Sequence, residues 1–138
     1  MKRSVALACI ALAAGFGPSA CSIGRSPAIP RAELAQRIEA GTAPFILDVR
    51  STSEYEAGHV PGALHIPFAD VDERHAEMGL AMDEPIVVYC AHGPRAAWAA
   101  RSLHDAGYTD VVYLEGHMTS WEADGLPVEA MPTEQPVD

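Results

Sequence analysis

The chain has 138 residues, a formal net charge of −10 and 49% hydrophobic residues. This length and composition predict one globular domain with a hydrophobic core. The acidic balance, with no cluster of Lys and Arg to offset it, disfavours binding to phosphate backbones, so we predict no nucleic-acid partner.

The first twenty residues have the layout of a secretory signal peptide. Met1-Lys2-Arg3 is basic, residues 4–16 ("SVALACIALAAGF") are apolar, and small residues precede Cys21. The apolar run is short for a transmembrane helix and has no polar face, which also disfavours an N-terminal core helix. We therefore predict a signal peptide at residues 1–20 and export to the periplasm.

The end of this segment resembles a bacterial lipoprotein signal, in which a cysteine after small residues becomes lipidated. Ser19-Ala20-Cys21 matches that pattern and makes Cys21 a candidate lipidation site, whereas Pro18 departs from it. A membrane tether through Cys21 and a free periplasmic domain both stay open. If Cys21 carries lipid, Ser22 favours the outer membrane. Residues 21–30, rich in Ser, Gly and Pro, predict a flexible tether.

Helices and strands are predicted to alternate from residue 31 onward. Apolar residues at helical spacing, ended by Gly41, predict a helix over residues 31–40. The elements predicted after it are a strand at 45–49, a helical turn at 52–57, a strand at 63–66, a polar helix at 70–78, a strand at 85–89, a helix at 95–106, a strand at 111–114 and a helix at 119–123. Apolar strands separated by helices predict an α/β fold whose parallel sheet is covered on both faces. The domain is predicted to span residues 31–128, with a disordered tail at 129–138, and Trp98 and Trp121 are interpreted as packing residues.

Cys90 is the only cysteine beyond residue 21, and it stands in the segment "YCAHGPRAA" between a predicted strand and a predicted helix. Ligands of parallel sheets gather at the carboxyl ends of strands. Free N–H groups and the positive end of the helix dipole would stabilise a thiolate there. Gly93 allows a cradle-shaped loop, Pro94 preorganises the helix entry, and Arg95 supplies a cation. The alternative is a buried, inert cysteine.

Three segments together resemble single-domain rhodaneses, the thiosulfate sulfurtransferase-like family. They are "ILDVRSTSEYEAGHVPGALHIP" (46–67), "IVVYCAHGPRAAWAARSLHDAGY" (86–108) and "VVYLEGHMTSW" (111–121). The resemblance implies a five-stranded parallel sheet flanked by helices on both faces. It also implies that the Cys90 thiolate takes the outer sulfur of a donor such as thiosulfate and passes it from a persulfide to cyanide or a thiol. The implied active-site loop consists of Ala91, His92, Gly93, Pro94 and Arg95, with Arg95 and His92 as candidate anion-binding groups.

Two positions depart from the pattern of that family. Ala96 stands where many members have serine, and His117 stands where many read "EGG". We therefore keep His117 as a candidate residue of the pocket, beside the alternative of an exposed histidine at a helix start. Asp48 and Arg50 are interpreted chiefly as structural, in a polar network with Glu54 and His59, and are retained as candidate pocket residues.

Three other functions were weighed against sulfur transfer by an enzyme. Cell-cycle phosphatases share the implied fold, but their loop has five residues between Cys and Arg, whereas four lie between Cys90 and Arg95. A non-enzymatic sulfur-carrier or persulfide-binding module serving one partner protein is the main alternative. A thiol-redox role ranks last, because no second cysteine of the mature domain can resolve a mixed disulfide.

We expect a monomer with no cofactor and no metal site, since the histidines lack ligand spacing.

Overall fold

The computed structural model describes residues 27–132. The predicted signal peptide, the candidate lipidation site Cys21 and most of the predicted tether lie outside these residues. Among residues 27–132, no helix is both long enough and apolar enough to cross a membrane.

Five parallel strands form one sheet in the order β1-β5-β4-β2-β3. The strands are β1 Ala28–Ile29, β2 Phe45–Asp48, β3 Leu64–His65, β4 Ile86–Tyr89 and β5 Val111–Leu114. The α-helices are α1 Arg31–Glu39, α2 Thr52–Ala57, α3 Val71–Arg74, α4 Pro94–Asp105 and α5 His117–Ala123, and 3₁₀ turns cover Phe68–Asp70 and His75–Met78. The prediction of an α/β fold with a five-stranded parallel sheet is confirmed.

The two faces of the sheet are covered by separate hydrophobic clusters. Along the central strand β4, Ile86 and Val88 pack with α3 and α4, whereas Val87 and Tyr89 pack with α1 and α5. This alternation follows from the two-residue period of a strand, and burial on both faces explains why β4 is apolar throughout. Cys90 continues the first set, so its side chain belongs to the face that α4 covers.

The fifth strand falls inside the segment predicted to be a tether. Ala28–Ile29 pairs with β5, where the N–H of Tyr113 donates to the carbonyl of Pro27 and the N–H of Glu115 donates to that of Ile29. The side chain of Ile29 joins the core. The tether prediction was therefore wrong for the end of residues 21–30, because backbone pairing with β5 overrides a local composition rich in Ser, Gly and Pro.

The predicted boundaries also change at the chain's C-terminal side. Glu129 pairs through backbone bonds with His59, and the N–H of Met131 donates to the carbonyl of Glu56, so the predicted disordered tail does not begin at residue 129. Residues 133–138 lie outside the described part. The polar helix predicted over residues 70–78 is divided into α3 and the two 3₁₀ turns.

The two tryptophans have opposite environments. Trp121 is fully buried and donates its indole N–H to the carbonyl of Pro127, as expected of a packing residue. Trp98 is 69% exposed, so its interpretation as a packing residue was wrong. The buried residues of α4 are Ala96, Ala99, Ala100 and Leu103, and Trp98 lies off the helical face that they form.

Candidate active site

Cys90 lies directly after β4 and starts the loop that leads into α4. The residue is 1% exposed, and the backbone N–H of Gly93 donates to its Sγ at 3.0 Å. A short N–H contact of this kind favours a sulfur that carries negative charge. The loop therefore curls back over the thiol.

The N-terminus of α4 points at this loop without a side-chain cap. Gly93 is the N-cap at a φ of 127°, a conformation that only glycine adopts readily, and Pro94 is the first helical residue. The N–H groups of Arg95 and Ala96 belong to the first turn and have no acceptor within the helix. Together with the helix dipole, they make the end of the loop electropositive.

The N-terminus of α5 holds the other side of the loop. The N–H of Met118 donates to the carbonyl of Cys90 at 3.0 Å. Thr119 binds the carbonyl of Ala91 through both its N–H, at 3.2 Å, and its hydroxyl, at 2.9 Å. The same hydroxyl lies 3.0 Å from Nδ1 of the exposed His92. Thr119 could not be singled out from the sequence, because its partners lie on a different element.

Arg95 is engaged by Glu54 of α2. Its Nη1 and Nη2 donate to the two carboxylate oxygens of Glu54 at 2.7 and 3.0 Å. Glu54 also accepts from the N–H and hydroxyl of Ser51, the N-cap residue of α2. The bond from Arg95, helped by those from Ser51, holds the pKa of Glu54 well below its usual range. The Arg95 cation thus has a counter-ion next to the loop.

Asp48 and Arg50 form a buried network at the carboxyl end of β2. The guanidinium of Arg50 donates to both oxygens of Asp48 and, at 2.7 Å, to the carbonyl of Gly58. Tyr89 donates to Asp48 at 2.7 Å and accepts from the N–H of Val60 at 3.0 Å. Burial, and then Asp48, raise the pKa of Tyr89, so its hydroxyl remains a donor. The structural interpretation of Asp48 and Arg50 agrees with this geometry.

The other two residues expected in that network lie elsewhere. Glu54 pairs with Arg95, as described above. His59 is buried, stacks on the ring of Tyr55 at a centroid distance of 3.8 Å and binds the carbonyl of the same residue. The Asp48 partner that could not be predicted from the sequence is Tyr89, the residue directly before Cys90.

His117 is the first residue of α5, and its side chain is half-buried against the loop instead of exposed. Its Nδ1 accepts from the N–H of Cys90 at 3.3 Å. Burial, and then the neighbouring His92, lower the pKa of His117. The contact with the Cys90 N–H therefore supports the interpretation of His117 as a candidate pocket residue over that of an exposed side chain.

An open groove of about 550 Å³ lies beside His117, between β1, the end of β5 and the turn before α5. Pro27, Pro30 and Tyr113 are among the residues that line it. Within residues 27–132, no three His, Cys, Asp or Glu side chains lie together in an arrangement that could hold a metal ion.

Comparison with known proteins identifies the family. The Rhodanese-like domain matches residues 30–124. A thiosulfate sulfurtransferase of Pseudoalteromonas translucida is 37% identical over 78 residues, covering 56% of this chain and 72% of that protein. A putative sulfur carrier protein of Bacillus subtilis is 33% identical over 95 residues, covering 69% of this chain and 50% of that protein. An HTH-type transcriptional regulator of Mycobacterium tuberculosis is 46% identical over 104 residues, covering 74% of this chain and 44% of that protein. The chain thus spans half or less of two of these three relatives.

Solved structures agree with the sequence comparison. A crystal structure of the Alr3790 protein from Anabaena has a TM-score of 0.68 and 35% identity, covering 76% of this chain and 94% of that one. The solution structure of the rhodanese-like domain of the same protein also has a TM-score of 0.68, with 34% identity, covering 83% of this chain and 89% of that one. The matched range, the relatives named for sulfur transfer and the shared fold lead to one conclusion: the chain belongs to the rhodanese-like domain family.

Proposed function

We propose that the protein is a sulfurtransferase that carries sulfane sulfur as a persulfide on Cys90. The observation that carries this proposal is the Gly93 N–H at 3.0 Å from the Cys90 Sγ, at the uncapped N-terminus of α4. A backbone cradle of this kind supports negative charge on sulfur without using a charged side chain. Several relatives named as sulfurtransferases add independent support for the class of reaction.

The proposed reaction has two displacements at sulfur. The Cys90 thiolate attacks the outer sulfur of thiosulfate, a new S–S bond forms, and the bond to the sulfonate breaks as sulfite leaves with the electron pair. The persulfide then bears one negative charge, as the thiolate did. Cyanide or a thiolate attacks the outer sulfur, and the Cys90 thiolate departs. Neither step needs an oxidant, a metal or a cofactor, and the two half-reactions give ping-pong kinetics.

We propose a revised role for Arg95. Its guanidinium already binds Glu54 through two hydrogen bonds, and the pair neutralises most of its charge. We therefore assign attraction of the anionic donor mainly to the N–H groups of the loop and of the first turn of α4. Arg95 then acts by tying α4 to α2. His92, exposed at the rim, stays a candidate contact for the donor.

Intact mass spectrometry after incubation with thiosulfate tests the proposal directly. Wild-type protein should gain one sulfur atom that cyanide removes, and Cys90→Ser should gain none. The matched control is a protein with Cys9 and Cys21 both changed to serine, which should load like wild type because Cys90 is intact. Loading of Cys90→Ser, or equal alkylation of wild type and Cys90→Ser under native conditions, would favour the inert-cysteine alternative.

A sulfur carrier that serves one partner protein is the second candidate. It is favoured by the relative named as a putative sulfur carrier. Steady-state turnover separates the two. An enzyme releases thiocyanate or a small persulfide over many cycles, whereas a carrier loads once and turns over poorly until a protein acceptor is added.

We propose that this reaction takes place after export, at the periplasmic side of a membrane to which Cys21 is anchored. The proposal depends on the signal-like sequence of residues 1–20 and on the cysteine that follows it. Fractionation of cells expressing wild type and Cys21→Ser tests it. Wild type should partition with the membrane and the variant should not, whereas soluble cytoplasmic protein in both cases would contradict export.

A further inference from the structure

His117 has a backbone conformation that its residue type disfavours. Its φ is 53°, and no other non-glycine residue among residues 27–132 has a positive φ. The left-handed conformation is strained for a non-glycine residue and persists only where surrounding contacts hold it. The contacts of His117 are therefore the place to look for the reason.

Those contacts reach both the start and the turn of the active-site loop. The imidazole Nδ1 accepts from the backbone N–H of Cys90 at 3.3 Å. The edge of the ring faces Gly93, where an added Cβ would lie only 3.2 Å from Nε2. Gly93 is also the residue whose N–H binds Sγ. One side chain thus spans the nucleophile's backbone and the residue that supports its sulfur.

This geometry fixes the form of the imidazole. Because Nδ1 accepts a hydrogen bond, the proton of the neutral ring is on Nε2. Protonation would place an N–H at Nδ1 opposite the N–H of Cys90 and would break the bond. The lowered pKa of His117, caused by burial and by His92, agrees with a ring that is neutral in the folded protein.

Other ionisable groups surround the same ring. The loop contributes His92 and Cys90, and β5 contributes Tyr113, whose ring centroid is 6.1 Å away. Glu115 precedes α5 and pairs with Arg31 of α1 at 3.3 Å. Arg31 also binds Asp124, so these three side chains together carry a charge of −1; apart from burial, the group that lowers the pKa of His117 is His92.

We propose that neutral His117 is a positioning residue for sulfur loading: by holding the N–H of Cys90 and packing on Gly93, it keeps the Gly93 N–H directed at Sγ. This inference depends on the proposed function for its kinetic consequence. His117 contacts the backbone of the loop and not the reacting atoms, so it acts through Gly93. Loading should therefore slow as pH falls through the titration of His117, below its ordinary value of 6.5.

Two substitutions separate positioning from fold maintenance. His117→Gly removes the acceptor and relieves the left-handed strain, so the fold should not depend on the histidine. His117→Asn tolerates the left-handed conformation and offers an acceptor in place of Nδ1, but does not titrate. The full-length protein is used throughout, with single-turnover loading from thiosulfate measured between pH 5 and pH 8 and thermal unfolding measured in parallel.

We expect His117→Gly to load about two- to tenfold more slowly than wild type at pH 8 without a loss in Tm, the range that one net hydrogen bond allows. His117→Asn should restore most of the rate and should lack the fall that wild type shows between pH 7 and pH 5. The part of the pH dependence that is present in wild type and absent in His117→Asn is the part that we assign to His117.

Amide NMR gives a readout that does not require sulfur transfer. In wild type, the Cys90 and Gly93 amide resonances should shift with the same midpoint as the His117 ring, and in His117→Asn that shift should vanish. If wild type never loads but these amides follow His117, the proposed function fails and the positioning role stands. The inference is wrong if wild type loads and His117→Gly has the same rate and pH profile as wild type. It is also wrong if the Cys90 and Gly93 amide resonances do not shift with the titration of His117.

Discussion

Tyr89→Phe tests how firmly the buried network supports the active-site strand. The phenol donates to the Asp48 carboxylate at 2.7 Å and accepts from the Val60 N–H at 3.0 Å, and all three residues are buried. Losing a hydrogen bond to a charged group costs about 1.5–3 kcal/mol, and a buried N–H without an acceptor adds to that. We therefore expect the free energy of unfolding to fall by about 3 kcal/mol, which for a domain of this size lowers Tm by roughly 10–15 °C.

The assay is chemical denaturation with Tyr55→Phe as the matched control. Tyr55 donates only to the Ala63 carbonyl, at 2.8 Å, from a less buried position. Its loss should cost about 1 kcal/mol, because no charge and no buried donor are left without a partner. If Tyr89→Phe destabilised the protein no more than Tyr55→Phe, the network would not be stabilising the end of β4, and the reasoning would be refuted.

Two further substitutions test the loop and its counter-ion. Glu54→Gln should weaken the acid sensitivity of folding: the pKa of Glu54 is lowered in the folded state, so its stabilisation is present above its ordinary value of 4.5 and is lost as pH falls below it. Denaturation at pH 7 and pH 3 measures this, and an unchanged difference between the two pH values in the variant would contradict it. Gly93→Ala should lose most sulfur loading and about 1–3 kcal/mol of stability, because alanine is strained at a φ of 127° and its Cβ would crowd Nε2 of His117. Gly41→Ala, at a φ of 71° with open space around it, is the control for strain alone, and equal effects on loading would argue against the loop geometry.

The sequence was sufficient for four of the five strands of the sheet and for placing Cys90 in the loop between β4 and α4. The strands β2 and β4 are short apolar runs, and a parallel arrangement with helices on both faces follows from that composition. The loop between Cys90 and Arg95 was predicted because its residues are contiguous. Local patterns carry such information well, since the elements and the turns are encoded within a few residues of one another.

Contacts between distant elements were not predictable in the same way. Glu54 and Arg95 are 41 positions apart, as are Asp48 and Tyr89, and nothing in either segment identifies the other as its partner. The exposure of Trp98 could have been predicted, because the small residues of α4 recur at core spacing and Trp98 falls between them. The strand β1 was missed because two residues are too few for a periodic signal.

The burial of Cys90 under its own loop also limits what can react with it. Cys90 is 1% exposed, so a bulky reactant such as a disulfide between two protein chains has less access to its sulfur than the terminal sulfur atom of a small anion. A sulfurtransferase built this way would be sheltered from mixed-disulfide formation even in surroundings where exposed thiolates are quickly captured. The burial of the thiol would then select among reactants by their size and shape, whereas the electropositive loop selects among them by charge.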